Sequence, residues 1–444
     1  MRFRGLMAGA VVLAALAVGL YFSNKQKAAE AAKPPSTSDT SPKILSVTEG
    51  DITKIALKKK GAEETDVEKN SAGKWDLTAP KKYLADQDTV NQLASSAATV
   101  NSDRVVEDKA TDVSAYGLKS PSLEVDVTTK GGKTSKLLIG DDTPTNSGAY
   151  AQLEGDPRVF TVASYVKSGL DKSVNDLRDK RLLTFDQDKL SRVELVAKKQ
   201  DIEFGRDKDQ WQIVKPKPLR ADGLQVEELI RKLKDAKMDL SVSADDAKKA
   251  AASFSSGTPV ATVKTTDPSG TQTLEVRKNK DDYFAKSSDV EGVYKVSSDL
   301  GTGLDKGVDD FRNKKLFDFG FSEPGKIEIH DGAKVYSFTK GGEDWFSNGK
   351  KLDSTSVQSL IDKLRDLSAA KFVDSGFGTP SIDISVTSND GKRVEKILIS
   401  KSGSDYVAQR ENEPSLYSLD AKTVDDLSKA AGDVKEAPPP AKKK

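Results

Sequence analysis

The chain has 444 residues, of which 36% are hydrophobic and 31% are charged, enough for two to four domains of roughly 100–200 residues. Its 70 basic and 69 acidic side chains nearly cancel, so no strong field attracts nucleic acid and we expect no nucleic-acid partner. Cysteine is absent and His330 is the single histidine, which excludes disulfides, thiolate metal sites and cysteine nucleophiles and leaves little for a multi-histidine or Ser-His-Asp site.

The amino terminus predicts a membrane-spanning helix. Two arginines precede an uncharged run from Leu6 to Phe22, which would form a helix about 25 Å long, at the short end of the range for a span. We predict a signal anchor over residues 1–22, with a single pass through the inner (cytoplasmic) membrane and the body on the periplasmic (extracytoplasmic) side. A cleaved signal peptide is the alternative, because Ala-x-Ala sequences occur at 15–17, inside the apolar run, and at 29–31, after it.

Two segments are too polar to form a core. Residues 23–43 are rich in Ala, Lys, Pro, Ser and Thr, and they predict a flexible tether. Residues 434–444 contain three consecutive prolines and end in three lysines, which predicts a disordered basic tail. We interpret the tail as solubilising; contact with anionic lipid or a cell-wall polymer is the functional alternative.

Between these segments the sequence repeats itself three times. Trp75, Trp211 and Trp345 recur at intervals of 136 and 134 residues, and each follows a strand-like segment and a polar turn. A packing role is predicted for these rings because they alternate with core-facing residues; a stacking platform for sugars or bases is the alternative.

After each tryptophan, an aspartate opens a helical pattern with one apolar face. An aspartate there accepts hydrogen bonds from free backbone N–H groups, so we interpret these residues as N-caps. An aromatic–glycine–proline element and a hairpin follow, and the hairpin turns include Gly131-Gly132 and Asp390-Gly391. Two further strands are predicted in each repeat. The three capping aspartates are Asp86, Asp222 and Asp353, and the further strands lie around Tyr150, Tyr283 and Tyr406, then around Phe160, Tyr294 and Tyr417.

Near-identical connectors end the first two repeats, at 176–183 and 310–317, whereas the third has only a short acidic match at 425–428. We predict that the connector docks each repeat onto the next and is absent where nothing follows. The fold class is therefore α+β, with three tandem repeats after an N-terminal transmembrane helix, each a mostly antiparallel sheet with about two helices. The predicted boundaries are 44–181 for repeat 1, 182–315 for repeat 2 and 316–433 for repeat 3.

These motifs resemble the domain-of-unknown-function 4340 family of bacterial membrane-anchored exported proteins, with three tandem copies here. The resemblance covers roughly residues 44–430; repeat 2 has a degenerate Tyr-Gly-Leu element and repeat 3 is the most divergent. It implies an association with export-type ABC transporter components of the gliding-motility kind, and it implies no catalytic residues. Repeat 1 carries the whole pattern, in Trp75, Pro80, Ala85-Asp86, Tyr116-Gly117-Leu118 with Pro121, Ile139-Gly140, Tyr150-Ala151 and Asp176 to Lys180.

Several local patterns resemble functional motifs but predict structure. Gly131-Gly132-Lys133-Thr134 lacks the earlier glycine and the following helix of a phosphate-binding loop. The pairs Asp141-Asp142 and Asp281-Asp282 match no calcium-loop pattern. His330 is interpreted as an ordinary surface group. We therefore predict no catalytic, metal-binding or cofactor-binding residues.

The sequence thus predicts a non-enzymatic, membrane-anchored envelope protein. We expect an interaction or scaffold module, accessory to an ABC-type (gliding-motility-like) transport complex, with the membrane and ABC transporter subunits as partners. Two alternatives stay open: a protein that binds an envelope glycan or other polymer, and a hydrolase that uses two carboxylates. The oligomeric state is left open.

Overall fold

Each of the three repeats is built on one antiparallel sheet, so the α+β class is confirmed. The computed structural model describes residues 42–208, 210–388 and 390–438. The chain divides into two units, Met1–Lys180 with repeat 1 and Arg181–Lys444 with repeats 2 and 3. The predicted anchor at 1–22 and nearly all of the tether lie outside the described residues. Within those residues, none of the helices has the length and apolar character needed to cross a membrane.

Repeat 1 contains a nine-stranded sheet in the order β5-β4-β3-β2-β8-β9-β10-β11-β7 and a separate pair, β1-β6. Alternation of apolar and polar residues along its strands puts one face in the core. Its strands are β1 Lys43–Ser46, β2 Ile52–Lys59, β3 Thr65–Lys69, β4 Trp75–Ala79, β5 Tyr83–Leu84, β6 Thr99–Asn101, β7 Arg104–Glu107, β8 Leu123–Thr129, β9 Thr134–Asp142, β10 Gly148–Leu153 and β11 Val159–Ala163. Its helices are α1 Gln87–Ala98, α2 Ser164–Leu170 and α3 Val174–Leu177.

Repeat 2 has an eight-stranded sheet in the order β15-β14-β13-β12-β16-β17-β18-β19. Its strands are β12 Arg192–Ala197, β13 Gln200–Asp207, β14 Gln210–Lys215, β15 Leu219–Arg220, β16 Thr258–Asp267, β17 Gly270–Asn279, β18 Asp282–Ser287 and β19 Tyr294–Val296. Its helices are α4 Gly223–Lys234, α5 Ala244–Ser256 and α6 Ser298–Leu304.

Repeat 3 returns to nine strands, in the order β23-β22-β21-β20-β25-β26-β27-β28-β24, which is the order of repeat 1. Its strands are β20 Lys326–Asp331, β21 Lys334–Gly341, β22 Asp344–Ser347, β23 Lys350–Lys351, β24 Lys371–Val373, β25 Ile382–Ser388, β26 Arg393–Ser402, β27 Asp405–Arg410 and β28 Leu416–Leu419. Its helices are α7 Ser354–Asp366 and α8 Ala421–Gly432. Short 3-10 turns also occur, at Glu49–Asp51, Ser114–Tyr116, Gln187–Lys189 and Val308–Asp310.

A separate hydrophobic core fills each repeat, and the first long helix packs into it through its apolar face. The three aspartates are N-caps, as predicted. The carboxylate of Asp86 accepts a 2.9 Å hydrogen bond from the N–H of Thr89, and Asp353 accepts one of 2.9 Å from Ser356. Asp222 accepts bonds from the first turn of α4 in the same way.

Helix α5 was not predicted, and it gives repeat 2 three helices. It begins just after residues 239–242, which stand where repeats 1 and 3 have the edge strands β7 and β24. The run from Ala244 to Ala252 is rich in alanine and lysine and has no β-branched residue, which favours a helix over a strand. Phe254 is the aromatic residue that precedes Gly257 and Pro259 in the aromatic–glycine–proline element of repeat 2. It lies in the last turns of α5 and packs on Phe284.

The connector of repeat 3 is present, contrary to the prediction. In repeats 1 and 2 a connector residue forms a β-bridge with the residue before the capping aspartate, and Glu436 forms the same bridge with Leu352. The Asp353 N–H also donates a 2.8 Å bond to the carbonyl of Lys435, and the N–H of Ala437 donates a 2.9 Å bond to Lys351. The part of the predicted tail that is described, 434–438, therefore belongs to repeat 3. A sequence comparison misses it because these are backbone bonds, which any residue can make.

Candidate functional site at the joint between repeats 2 and 3

The three tryptophans are buried side chains of the cores, as the packing interpretation predicted. Their exposed fractions are 2%, 4% and 4% for Trp75, Trp211 and Trp345. Each indole N–H donates to a polar partner, and the partners differ. The indole bonds run from Trp75 to Asn91 (2.9 Å), from Trp211 to Glu227 (2.7 Å) and from Trp345 to Glu323 (3.4 Å).

The Tyr-Gly and Ile-Gly motifs of repeat 1 contact each other. A side chain at Gly140 would place its Cβ 2.0 Å from the carbonyl oxygen of Tyr116, so glycine is needed for this close approach. The Tyr116 hydroxyl donates a 2.9 Å bond to Glu107, and its ring lies 5.0 Å from that of Tyr150. The bond to Glu107 is the main cause that raises the pKa of Tyr116. The contact between the two motifs therefore holds the loop before β8 against strand β9.

The other patterns singled out from sequence occupy ordinary structural positions. Gly131-Gly132 turns between β8 and β9, and His330 is exposed on β20. Asp142 is paired with Lys167 at 2.7 Å, and Asp282 with Lys295 at 2.9 Å. Over the described residues, no three acidic, histidine or cysteine side chains are grouped as metal ligands.

A cluster of charged side chains lies between repeats 2 and 3 and is centred on Arg220, the last residue of β15. Its guanidinium donates to the carboxylate of Asp318, lies 3.1 Å from an oxygen of Glu413, and donates a 3.0 Å bond to the hydroxyl of Tyr417. It also donates a 2.5 Å bond to the carbonyl of Lys315. With 18% of its side chain exposed, Arg220 is largely removed from water.

A second arginine extends the cluster within repeat 3. Arg410 donates a 2.8 Å bond to Glu413 and a 3.2 Å bond to Glu395. Arg393 lies 3.3 Å from Glu395 and 3.9 Å from Asp318. We call this set the Arg220 cluster; its members are Arg220, Asp318, Arg393, Glu395, Arg410, Glu413 and Tyr417.

In the Arg220 cluster, burial and the neighbouring charges shift the pKa values of the side chains in opposite directions. Burial lowers the pKa of Arg220, but the charges of Asp318 and Glu413 and the contact with Tyr417 outweigh it, and the pKa is raised overall. Burial raises the pKa of Tyr417, against the lowering effect of Arg220. Removal of one partner would leave buried charge unpaired, which makes the cluster a strong positional constraint.

Backbone contacts repeat at the start of repeats 2 and 3. The N–H of Leu182 donates a 2.9 Å bond to Ala236, and the N–H of Leu316 donates one of 2.9 Å to Leu367. The N–H of Asp318 bonds Glu395 on β26 at 2.9 Å. In repeat 2, the N–H of Thr184 bonds Gln272 on β17 at 2.8 Å in the corresponding way. The second connector therefore docks onto repeat 3, as predicted.

Two clefts border Arg220. The first has a volume of about 370 Å³ and a largely polar lining. The second, of about 630 Å³, is more apolar and lies between the β14–β15 hairpin and the loop before β28. Gln212 and Arg220 line both clefts. Sequence reasoning missed this site because its partners lie up to 197 residues apart and no local motif marks them.

The family model described as "Domain of unknown function (DUF4340)" matches residues 75–212 and 211–381, together more than half of the chain. The chain belongs to this family. The family resemblance seen in the sequence is thereby confirmed, with two copies matched rather than the three expected. The structure has three sheets of related strand order, and β25 to β28 of the third lie beyond the matched residues. No curated protein and no solved structure matches the chain.

Proposed function

We propose that this DUF4340 protein is a non-enzymatic interaction module of the bacterial cell envelope, held at the membrane by its amino terminus. The observation that carries the proposal is the Arg220 cluster. It commits six charged side chains and Tyr417 to holding repeats 2 and 3 in a fixed relation. A module with fixed repeats presents several surfaces to a partner without a large ordering cost on binding.

The outer faces of the sheets support the same role. In repeat 1, Lys58 lies 3.0 Å from Glu124 on the next strand, and Lys136 lies 3.3 Å from the same carboxylate. In repeat 2, Glu203 is paired with Arg192 at 2.9 Å and Lys215 at 2.7 Å. Rows of alternating charge across strands keep these faces soluble and suit polar, specific recognition by a protein partner.

The partner we propose is an ABC-type transport complex of the gliding-motility kind, on the inner membrane with the repeats on the periplasmic side. This part of the proposal rests on the family resemblance and on the apolar run near the amino terminus. Surfaces that project from a membrane anchor next to a transporter would act as its accessory scaffold.

The test is a mild-detergent purification of the full-length tagged protein from its native membrane, with sequencing of the amino terminus in the same sample. We expect transporter subunits to co-purify with a chain that begins at Met1. An Arg220→Ala variant, with a loosened joint, should recover less of the complex, and an Arg231→Ala variant on the exposed face of α4 should recover as much as wild type. A soluble chain that begins after Ala17 or Ala31, without transporter subunits, would overturn the proposal.

A further inference from the structure

The polar cleft beside Arg220 has a lining suited to a ligand. Its volume of about 370 Å³ falls in the lower part of the range for small-molecule sites, about 300–1,000 Å³. Both repeats contribute walls, so the cleft exists only when the joint is formed. The lining side chains with polar groups are Gln210, Trp211, Gln212, Arg220, Glu227, Asn313, Asp318 and Arg393.

The amide groups of this lining have hydrogen-bonding capacity to spare. Gln210 and Gln212 flank Trp211 on β14, and neither side chain makes a hydrogen bond to any other residue in the described ranges. Asn313 donates a 3.1 Å bond to Asp318, which fixes its amide plane. Amides that both donate and accept can bind hydroxyl groups, which also do both.

The charges of the cleft cancel. Arg220 and Arg393 are matched by Glu227 and Asp318, so the wall has no net formal charge. All three nitrogens of Arg220 already contact oxygen atoms of protein groups. An anion that binds Arg220 would therefore have to displace an existing ion pair, whereas a neutral ligand would not.

These features are particular to repeat 2. The residues that flank the tryptophan are Lys74 and Asp76 in repeat 1, and Asp344 and Phe346 in repeat 3, where repeat 2 has two glutamines. The position of Arg220 is taken by Leu84 and Lys351 in the other repeats. Of the three equivalent strands β4, β14 and β22, only β14 thus places uncharged amide side chains on both sides of its tryptophan.

We propose that this cleft binds a neutral saccharide of one or two rings, through the amides of Gln210 and Gln212 and the free carboxylate oxygen of Glu227. Glu227 gives one oxygen to the indole N–H of Trp211 and has a second for a sugar hydroxyl. A ligand that fills the cleft would also lie against Asp318 and Arg393 of repeat 3, and it would favour the closed joint. The inference goes beyond the proposed interaction role and does not depend on the identity of the partner.

The test uses the full chain labelled with 5-fluorotryptophan, whose three fluorine signals are assigned with single Trp→Phe variants. A polyoxyethylene detergent is required, because maltoside detergents carry a sugar head group. The probes are N,N′-diacetylchitobiose and maltose, with sodium phosphate as the anion. The variants are Gln212→Ala and, as the matched control, Gln358→Ala on the exposed face of α7.

We expect one of the sugars to shift the Trp211 signal saturably, while the Trp75 and Trp345 signals stay in place. Gln212→Ala should weaken the binding about tenfold, as for loss of a well-formed polar contact, and Gln358→Ala should leave it unchanged. The proposal is overturned by the absence of a shift up to about 20 mM of either sugar. A response of all three signals, equal affinity in Gln212→Ala, or a response to phosphate alone would also overturn it.

Discussion

The guanidinium of Arg220 and the hydroxyl of Tyr417 form a 3.0 Å hydrogen bond between residues 197 positions apart. Tyr417 is 1% exposed and belongs to the core of repeat 3, whereas Arg220 ends an edge strand of repeat 2. One bond therefore joins the periphery of one repeat to the interior of the next. The carboxylate of Glu413 accepts hydrogen bonds from both residues, so each of the three groups is hydrogen-bonded to the other two.

Replacement of Arg220 by alanine should loosen the joint. Asp318 and Glu413 would lose the cation that Arg220 supplies from repeat 2 and would keep only cations of repeat 3 such as Arg410. We expect a loss of about 2–4 kcal/mol in the free energy of unfolding of the second unit. Urea unfolding followed by tryptophan fluorescence measures this loss. The control is Arg231→Ala, whose side chain is 61% exposed and pairs with Glu228, with an expected change below about 0.5 kcal/mol. Equal effects of the two variants would contradict the role of the cluster.

A Gly140→Ala substitution should destabilise repeat 1. The added methyl group would meet the carbonyl oxygen of Tyr116 at 2.0 Å, so the loop must shift, at an expected cost of about 1–3 kcal/mol. Thermal unfolding followed by circular dichroism gives the change. Gly50→Ala is the matched control, because a Cβ there meets no atom within 4 Å. Unchanged stability of Gly140→Ala would show that the Tyr-Gly and Ile-Gly contact is dispensable.

Asp222 should behave as a helix cap with no chemical role. Asp222→Ala removes the acceptor for the N–H of Gln225, at a cost of about 1 kcal/mol. Asp222→Asn keeps an acceptor oxygen, so its stability should stay within a few tenths of that of wild type. Urea unfolding of the two variants distinguishes the roles, since a need for negative charge would make asparagine as harmful as alanine.

Stability should fall in acid partly through Glu203. The hydrogen bond from Lys215 is the main cause that lowers the pKa of Glu203 below its usual value of 4.5. A lowered pKa in the folded state gives stability that is present above pH 4.5 and is lost as the pH falls through the folded value. Glu203→Gln should therefore lower the free energy of unfolding by about 1 kcal/mol at pH 7, a modest loss because the partners of Glu203 are partly exposed to water. The loss should be smaller at pH 3.

Urea titrations at several pH values test this expectation. The control is Glu63→Gln, which changes an exposed glutamate in a turn and should leave the curve unaltered. A constant difference between Glu203→Gln and wild type from pH 7 to pH 3 would contradict the assignment.

Much of the fold could be read from the sequence, because periodic apolar positions and turn residues act locally. The tryptophan spacing indicated repeats of the observed size, and Asp86, Asp222 and Asp353 marked the helix starts. Helix α5 was missed because the repeat pattern predicted about two helices in each repeat and none in this alanine-rich run, which favours a helix. The Glu436 bridge was missed because backbone bonds leave no trace in side-chain identity.

The sequence by itself determined most of the elements, the three-repeat organisation and the family, since each depends on patterns within about 135 residues. Only the tertiary structure determined which charged residues are paired between repeats. Arg220 and Glu413 have no distinctive neighbours in the sequence, and their pairing follows from the docking of the second connector onto repeat 3. Long-range electrostatic contacts depend on the distances that packing sets, which no local pattern encodes.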